Sequence, residues 1–282
     1  MTPESSLRAH ADWKADVVPV GACGPDAYVA CDVGHHIFRP IGLLAFSAMS
    51  EDTLRRAVAE MIGAFTLTFI GAGAAAAAGG AHDTALIGVA IANGLAIGVM
   101  VCALGYISGG HFNPAITFGF LITRRIKPAL AVVYWIAQFG GAALAALLVK
   151  DLLPRATTAA VNLGVPALGQ GVNASSGFLL EAIFTFFLVL VVFGAAVDTR
   201  GPFNAVAGLA IGLTISIDVL FGGPFTGAAM NPSRAFGPQL VGDHWANGWV
   251  WYAGPVLGGT VAALLYNFLF MGKSEPAAEA AA

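Results

Sequence analysis

The sequence predicts an all-α membrane protein with six transmembrane helices and two re-entrant half-helices, arranged as an inverted repeat of three helices plus three. Composition is the first reason: 57% of the 282 residues are hydrophobic and only 10% are charged, whereas soluble domains carry about 25% charged residues. Six long apolar windows are the second reason, and two similar windows containing Asn-Pro are the third. The net charge of −3 gives no reason to expect a nucleic-acid partner.

Six windows are long enough to cross a bilayer, which takes about 20 mostly apolar residues. None alternates polar and apolar residues as a membrane barrel strand does, so each window is predicted to be a helix. The fifth window is the shortest. The six windows are Ala57–Ala78, Ala85–Gly105, Pro128–Val149, Gly177–Val197, Phe203–Leu220 and Asn247–Met271.

Basic residues in the short loops predict the orientation, because such residues accumulate on the cytoplasmic side. If six spans alternate, one side carries most of them and the other carries only Lys150 and Arg155. Both termini are therefore expected in the cytoplasm, with the chain in the cell membrane. The residues on the cytoplasmic side are Arg55, Arg56, Arg124, Arg125, Lys127, Arg200 and Lys273.

The windows SGGHFNPAIT and TGAAMNPSRA indicate an internal repeat. Each follows the second helix of a three-helix half, and an odd number of helices per half turns the second copy upside down. GLAIG also occurs twice, at Gly94–Gly98 and Gly208–Gly212, but lies one helical turn out of register and has less weight. Aligning Asn113 with Asn231 matches Ser108 with Thr226, Gly109 with Gly227, Pro114 with Pro232 and Phe118 with Phe236.

The two Asn-Pro pairs predict the starts of short helices. Proline is tolerated in the first helical turn, so Asn113 and Asn231 are expected to be N-caps of half-helices that begin at Pro114 and Pro232. Inverted symmetry would bring the two positive helix ends together near the midplane. Such a centre would accept the oxygen of a neutral molecule and repel a cation, which indicates a pore for uncharged solutes.

From about Ser50 to Met271 the chain resembles the aquaporins, or major intrinsic proteins, through SGGHFNPA followed by MNPSRAFGP. The resemblance implies half-helices that meet in mid-pore, homotetramers with one pore per subunit, and passive transport in a lipid bilayer by a protein that is not an enzyme and needs no cofactor or metal. Ser233 departs from the usual Asn-Pro-Ala, and its hydroxyl is expected to bond back to a helical carbonyl. The pore-motif residues are Asn113, Pro114, Ala115, Asn231, Pro232 and Ser233.

The family's filter positions, transferred by spacing from the two Asn residues, fall on Asn93, Val219, Ala228 and Arg234. Strict water channels resemble one another in having Phe, His and a small residue beside the Arg, so this filter is expected to be wider. Ala235, however, is not the Asp typical of glycerol-conducting members. The expected function is a passive water channel that also passes small neutral solutes. A glycerol, urea or ammonia facilitator with water secondary stays open, as does a place for Asn93 against a neighbouring helix.

Carboxylates in the spans indicate functional sites by default. The resemblance implies that Glu60 and Glu181 support the loop backbones, with proton coupling as the alternative. Asp218 is expected to be a solvated residue near the outer end of its helix, with a role in tuning the mouth of the pore as the alternative. His111 and His82 are expected to form hydrogen bonds within their loops rather than to act as pH gates.

The predicted channel domain covers residues 49–273, with halves of about 54–150 and 176–271. Residues 1–48 are expected to be a disordered extension or to precede the true start at Met49, and residues 274–282 to be a disordered tail. No metal site is expected, because the spacing of Cys23, Cys31, His35 and His36 matches no usual zinc pattern.

Two other classes of protein remain as alternatives. An ion-coupled secondary transporter also uses inverted repeats and broken helices, but it needs an alternating gate and coupling residues. A membrane enzyme needs a nucleophile with its base, or a metal cluster, and the spans show neither. The intact pair of pore motifs argues against a purely structural role.

Overall fold

The computed structural model describes residues 50–79, 83–202 and 204–271, with the side chains of residues 83 and 84 left out. The predicted extension and tail, the four Cys and His residues considered as metal ligands, and His82 lie outside the described residues. The helices are α1 (Glu51–Ala77), α2 (Asp83–Ser108), α3 (Pro114–Ile122), α4 (Pro128–Leu152), α5 (Arg155–Ala160), α6 (Ala174–Val192), α7 (Ala207–Thr226), α8 (Pro232–Gly242) and α9 (Val250–Leu265).

Six of the segments are long and apolar enough to cross a membrane, which confirms the predicted number of spans. Short π-helical turns at Phe193–Val197 and Tyr266–Phe270 extend α6 and α9. No strand occurs in the part of the chain that the structure describes. The spanning segments are Glu51–Ala77, Ala85–Ser108, Pro128–Leu152, Ala174–Val197, Asn204–Thr226 and Val250–Phe270.

Two helix ends differ from the predicted windows. Helix α1 begins at Glu51 instead of Ala57, because Ser50 caps it: the Ser50 hydroxyl accepts a hydrogen bond from the N–H of Thr53 at 3.2 Å. Helix α7 continues past Leu220 to Thr226, although Gly-Gly-Pro follows Phe221 in the sequence. Glycine and proline end helices in water, but membrane helices tolerate them.

The two half-helices, α3 and α8, begin at the predicted prolines and lie between the second and third spans of their halves. Both prolines occupy the first helical turn, and the preceding asparagines have extended backbones with φ near −150°. A cap residue has this extended conformation because its side chain must turn back toward the first free N–H groups.

The two GLAIG copies meet each other where α2 crosses α7. A Cβ built on Gly94 would lie 2.3 Å from the carbonyl oxygen of Gly212, and one built on Gly98 would lie 2.9 Å from that of Gly208. Only glycine permits this approach of two helix backbones. In this crossing the first glycine of each copy faces the last glycine of the other.

The outer surfaces of the helices carry large exposed apolar side chains, among them Ile87, Leu95 and Val99 on α2 and Leu213 and Ile217 on α7. The buried cluster between the helices is also apolar and includes Leu188, Val189 and Phe193. A helix that is apolar on all sides suits hydrocarbon surroundings rather than water.

Candidate functional site: the cavity between the half-helices

The side-chain oxygens of Asn113 and Asn231 cap the two half-helices. The oxygen of Asn113 accepts a hydrogen bond from the N–H of Ala115 at 2.9 Å, and that of Asn231 accepts one from the N–H of Ser233 at 3.0 Å. The Ser233 hydroxyl donates to the same Asn231 oxygen at 2.8 Å. This differs from the expected bond to a helical carbonyl, because Ser233 is only the second residue of α8 and the residue four positions earlier, Ala229, precedes the helix.

The amide nitrogen of each asparagine reaches the opposite half. Asn113 Nδ2 donates to the carbonyl of Met230 at 2.8 Å, and Asn231 Nδ2 donates to the carbonyl of Phe112 at 2.9 Å. Phe112 and Met230 have left-handed backbones, with φ of 49° and 52°, and this conformation turns their carbonyls toward the other asparagine. An amide nitrogen carries two N–H groups, so each asparagine keeps one for a molecule in the cavity that both side chains line.

Glu60 binds the loop before the first half-helix. Its two oxygens accept from the N–H groups of His111 and Phe112 at 2.9 and 2.6 Å, and also from the Ser108 hydroxyl and Gln138 Nε2 at 2.6 and 2.7 Å. Four donors match the acceptor capacity of an ionised carboxylate. The buried backbone of this loop therefore has partners within the protein.

Glu181 binds the second loop in the same way. It accepts from the N–H groups of Ala229 and Met230 at 2.9 and 2.8 Å, and from the Thr226 hydroxyl at 2.8 Å. The two loops are also anchored by aromatic donors: Tyr134 OH reaches the carbonyl of Ser108, and Trp251 Nε1 reaches that of Thr226.

Gln138, Tyr134 and Trp251 are site residues that the sequence analysis missed. Gln138 Nε2 donates to both Glu60 and Thr117, and the ring of His111 bonds Thr117 at 3.1 Å. The Gln138 amide is the only amide or charged group in the window Pro128–Val149. A lone amide in a spanning window is the signal that could have identified Gln138, because such groups form hydrogen bonds to other helices inside the bundle.

Two cavities meet between the half-helices and the loops at one end of the bundle. The central cavity is lined by Asn113, Asn231 and apolar side chains such as Ile97 and Ile215. The second cavity, which we call the outer mouth after the predicted orientation, is lined mainly by residues of α2, the loop after α5 and the end of α7. Their linings share only Asn93, Val219 and Arg234, which we call the neck.

The neck contains three of the four residues predicted for the filter and no aromatic ring. Asn93 Nδ2 donates to the carbonyl of Val89 at 2.8 Å, and a Cβ on Gly71 would lie 2.4 Å from Asn93 Oδ1, so Asn93 both borders the cavities and packs on α1. Arg234 Nη1 donates to the carbonyl of Gly164 at 2.8 Å. Ala228, the fourth predicted residue, lines the central cavity but not the outer mouth.

His111 lines the central cavity and also a third cavity, with Phe120 and Arg125, which we call the inner mouth after the predicted orientation. Its ring contacts those of Phe120 and Tyr134. The described part of the chain contains no group of three His, Cys, Asp or Glu side chains that could hold a metal ion.

Asp218 is not the solvated helix-end residue that the sequence analysis expected. It is only 4% exposed, and its Oδ2 has no hydrogen-bond partner among the described residues. The prediction was wrong because α7 continues for two more turns, which places Asp218 within the helix instead of at its end. Asp218 lines neither cavity of the neck.

Comparison with known proteins gives a consistent result. Residues 47–266 match the family described as Major intrinsic protein. The chain is 44% identical over 239 residues to "Aquaporin TIP4-4" of Zea mays, covering 81% of this chain and 92% of that protein. It is 42% identical to "Probable aquaporin TIP3-2" of Arabidopsis thaliana, covering 80% and 88%. The solved aquaglyceroporin from Plasmodium falciparum has the same fold, with a TM-score of 0.69 at 23% identity over 77% of this chain and 97% of that one.

Proposed function

The chain belongs to the major intrinsic protein family and is a multi-pass membrane channel, and from this premise we propose that its central cavity conducts water and small neutral solutes passively. The neck carries the proposal. Its lining combines a carbonyl-anchored arginine, one amide and one small apolar side chain. A neck without rings is less obstructed than one lined by aromatic side chains, and it offers hydrogen-bond donors to a polar solute.

We assign Asn113 and Asn231 to orienting the permeant at the centre of the cavity. The support is that each has one N–H group in use on the opposite half and one left over. Each half-helix also directs its positive end, equivalent to roughly half an elementary charge, toward this point. Cations are therefore repelled there, while a neutral molecule's oxygen is attracted.

Glu60 and Glu181 take the role of loop supports in this proposal. Their hydrogen bonds go to the backbone of the loops and to neighbouring hydroxyl and amide groups, and neither residue lines the central cavity or the outer mouth. A carboxylate that carried protons for coupled transport would need access to one of these cavities. Conduction of this kind requires no cofactor and no catalytic group.

A facilitator whose main cargo is glycerol, urea or ammonia is the second candidate function. Asn93 favours it, because an amide at the neck offers both a donor and an acceptor to a polar solute. Ala235 disfavours it, because the resemblance described above implies an Asp at this position in glycerol-conducting members. The relative permeabilities of water and solute separate the two candidates.

We further propose a homotetramer with one pore per subunit, in the cell membrane, with both termini in the cytoplasm. The orientation is supported by basic residues that lie together at one end of the bundle. Arg125 donates to the side chain of Asn267, and Arg200 donates to the carbonyl of Phe270. Both acceptors belong to the turn Tyr266–Phe270, which ends the last span. Protease protection of terminal tags and native mass spectrometry test orientation and assembly. Imaging of a tagged chain in cells tests which membrane contains the protein. Signal only at internal membranes would overturn the proposed cell-membrane location and leave the proposed assembly and orientation unchanged.

Stopped-flow light scattering of proteoliposomes tests the proposed conduction. In a sucrose gradient the vesicles should shrink faster than empty ones and with a low activation energy, and in a glycerol or urea gradient they should re-swell faster than empty ones. Water flux without solute flux would restrict the proposal to water. If neither flux exceeds that of empty vesicles, or if flux requires an ion gradient, the passive-channel proposal is wrong.

A further inference from the structure

A short turn outside the predicted filter holds the arginine of the neck. The turn Asn162–Gly164 follows α5, and the carbonyl of Gly164 accepts the hydrogen bond from Arg234 Nη1. Among the described residues this is the only hydrogen bond that the guanidinium makes. The position of the charge in the neck therefore depends on where this one carbonyl lies.

The backbone of this turn is strained. Asn162, Leu163 and Gly164 are three consecutive residues in the left-handed region, with φ of 45°, 56° and 74°. Glycine adopts this conformation readily, and asparagine does so more easily than most residues, but leucine rarely does. Such a conformation persists only where the surroundings impose it.

The side chain of Leu163 provides that constraint. It is buried in an apolar cluster with Ala72 of α1 and Val149 of α4, against which Phe69 and Leu153 also pack. Gly164 lies directly on α1, because a Cβ built there would come 2.9 Å from the Cα of Ala72. The anchor and the close contact together direct the Gly164 carbonyl toward Arg234.

We infer that Leu163 is a positioning residue of the neck, which holds the strained Asn162–Gly164 turn against α1 so that the Gly164 carbonyl fixes the guanidinium of Arg234. Leu163 touches no permeant and acts through Arg234. Without the anchor the turn relaxes, the carbonyl moves away and the guanidinium becomes mobile inside the neck. This inference rests on the proposed conduction through the neck.

The test is a double-mutant cycle between Leu163 and Arg234 in the full-length channel. In proteoliposomes, Leu163→Ala should lower water permeability per channel by roughly threefold, which corresponds to the lower end of the interaction energies of coupled residues, and raise its activation energy. In the Arg234→Ala background the same change should have no further effect. Leu163→Met, which restores the buried volume, should restore the wild-type values. Leu163→Val serves as the milder variant where Leu163→Ala reduces folding.

Leu190→Ala is the matched control, because Leu190 is a partly buried leucine of the core that lines neither the central cavity nor the outer mouth. It should leave permeability per channel unchanged. Equal effects of Leu163→Ala with and without Arg234 would overturn the inference and assign Leu163 to stability alone, as would no effect of Leu163→Ala at all. Absence of water flux through the wild-type channel is a different result, which would overturn the proposed conduction itself.

Discussion

Glu60 and Glu181 occupy equivalent places in the two halves, since each accepts two consecutive backbone N–H groups of the loop that leads to a half-helix. Their surroundings differ in one respect. Glu60 has a fourth donor, Gln138 Nε2, whereas three donors of Glu181 are found among the described residues. The inverted repeat is therefore closely, but not fully, symmetric in its buried polar network.

Replacing Glu181 by Gln should destabilise the channel. The glutamine amide has one oxygen and would direct an N–H group at a backbone N–H, and each lost bond to a charged group costs about 1.5–3 kcal/mol. Thermal unfolding of the purified protein in detergent measures the loss. Glu51→Gln, at an exposed carboxylate of α1, is the control. Equal midpoints for the two variants would contradict the proposed support role.

Asn93→Phe should narrow the neck. Glycerol or urea flux is expected to fall by roughly tenfold or more while water flux changes little, because pockets reject a bulkier molecule more strongly than a small one. Leu95→Phe places the same ring on the exposed face of α2 and should alter neither flux. Stopped-flow rates in water and solute gradients provide both values. If Asn93 does not border the conducting path, the solute flux of Asn93→Phe will equal that of the wild type, which would contradict the proposed role of the neck.

Asn113→Asp should open the channel to cations. An aspartate places a negative charge at the positive end of α3 and replaces the amide donor that bonds the carbonyl of Met230. Sodium or proton flux, followed with dyes inside vesicles, is expected above the level of empty vesicles. The wild type and Asn204→Asp, which changes an amide outside the cavities, should stay at that level. If the Asn113→Asp channel passes water but no more sodium or protons than empty vesicles do, the electrostatic account is contradicted.

Gly94→Ala should separate the crossing of α2 and α7. The added methyl group would lie 2.3 Å from the carbonyl oxygen of Gly212, and such overpacking costs about 1–3 kcal/mol. Gly88→Ala on the same helix has open space around its Cβ and should be neutral or slightly stabilising. Thermal midpoints in detergent compare the two, and equal destabilisation would show that the crossing is not the cause.

Acid should weaken the contact between Asp198 and Arg200. The side-chain hydrogen bond from Arg200 holds the pKa of Asp198 well below its ordinary value, and Tyr266 OH adds a further bond. A lowered folded-state pKa means that the stabilisation is complete above the unfolded value of about 3.9 and is lost as pH falls toward the folded value.

Thermal midpoints between pH 7 and pH 3 test this contact. Asp198→Asn should lower the midpoint by a constant amount down to about pH 4, and the difference from the wild type should shrink below it. Asp151→Asn, which removes an exposed carboxylate of α4, controls for the general effect of losing one negative charge. A difference that grows as the pH falls would reverse the predicted sign.

Local patterns in the sequence were sufficient for the framework. Window length located the six spans, and Asn-Pro placed both half-helix starts at Pro114 and Pro232. The end of α7 was misplaced because Gly-Gly-Pro after Phe221 is a helix-breaking signal in water, and this error also misplaced Asp218. Local signals carry no information about which residues meet in space.

The site was predictable only where the repeat or the family resemblance supplied a position. Partners far apart in the chain were not, because Gln138 meets Glu60 only after α4 has packed on α1. The left-handed backbone of Leu163 is likewise imposed by Ala72 and Val149, which lie in other helices. No local propensity of leucine indicates such a conformation.

The bonds between each asparagine and the opposite half also bear on how the polypeptide is made. Met230, which receives the amide of Asn113, lies 117 residues further along the chain, so it does not yet exist when the ribosome has completed the first three spans. Until the second half is made, the first re-entrant segment therefore lacks the carbonyl that its asparagine binds in the finished protein. Its pore closes around both asparagines only when the second half has been synthesised and has entered the bilayer upside down.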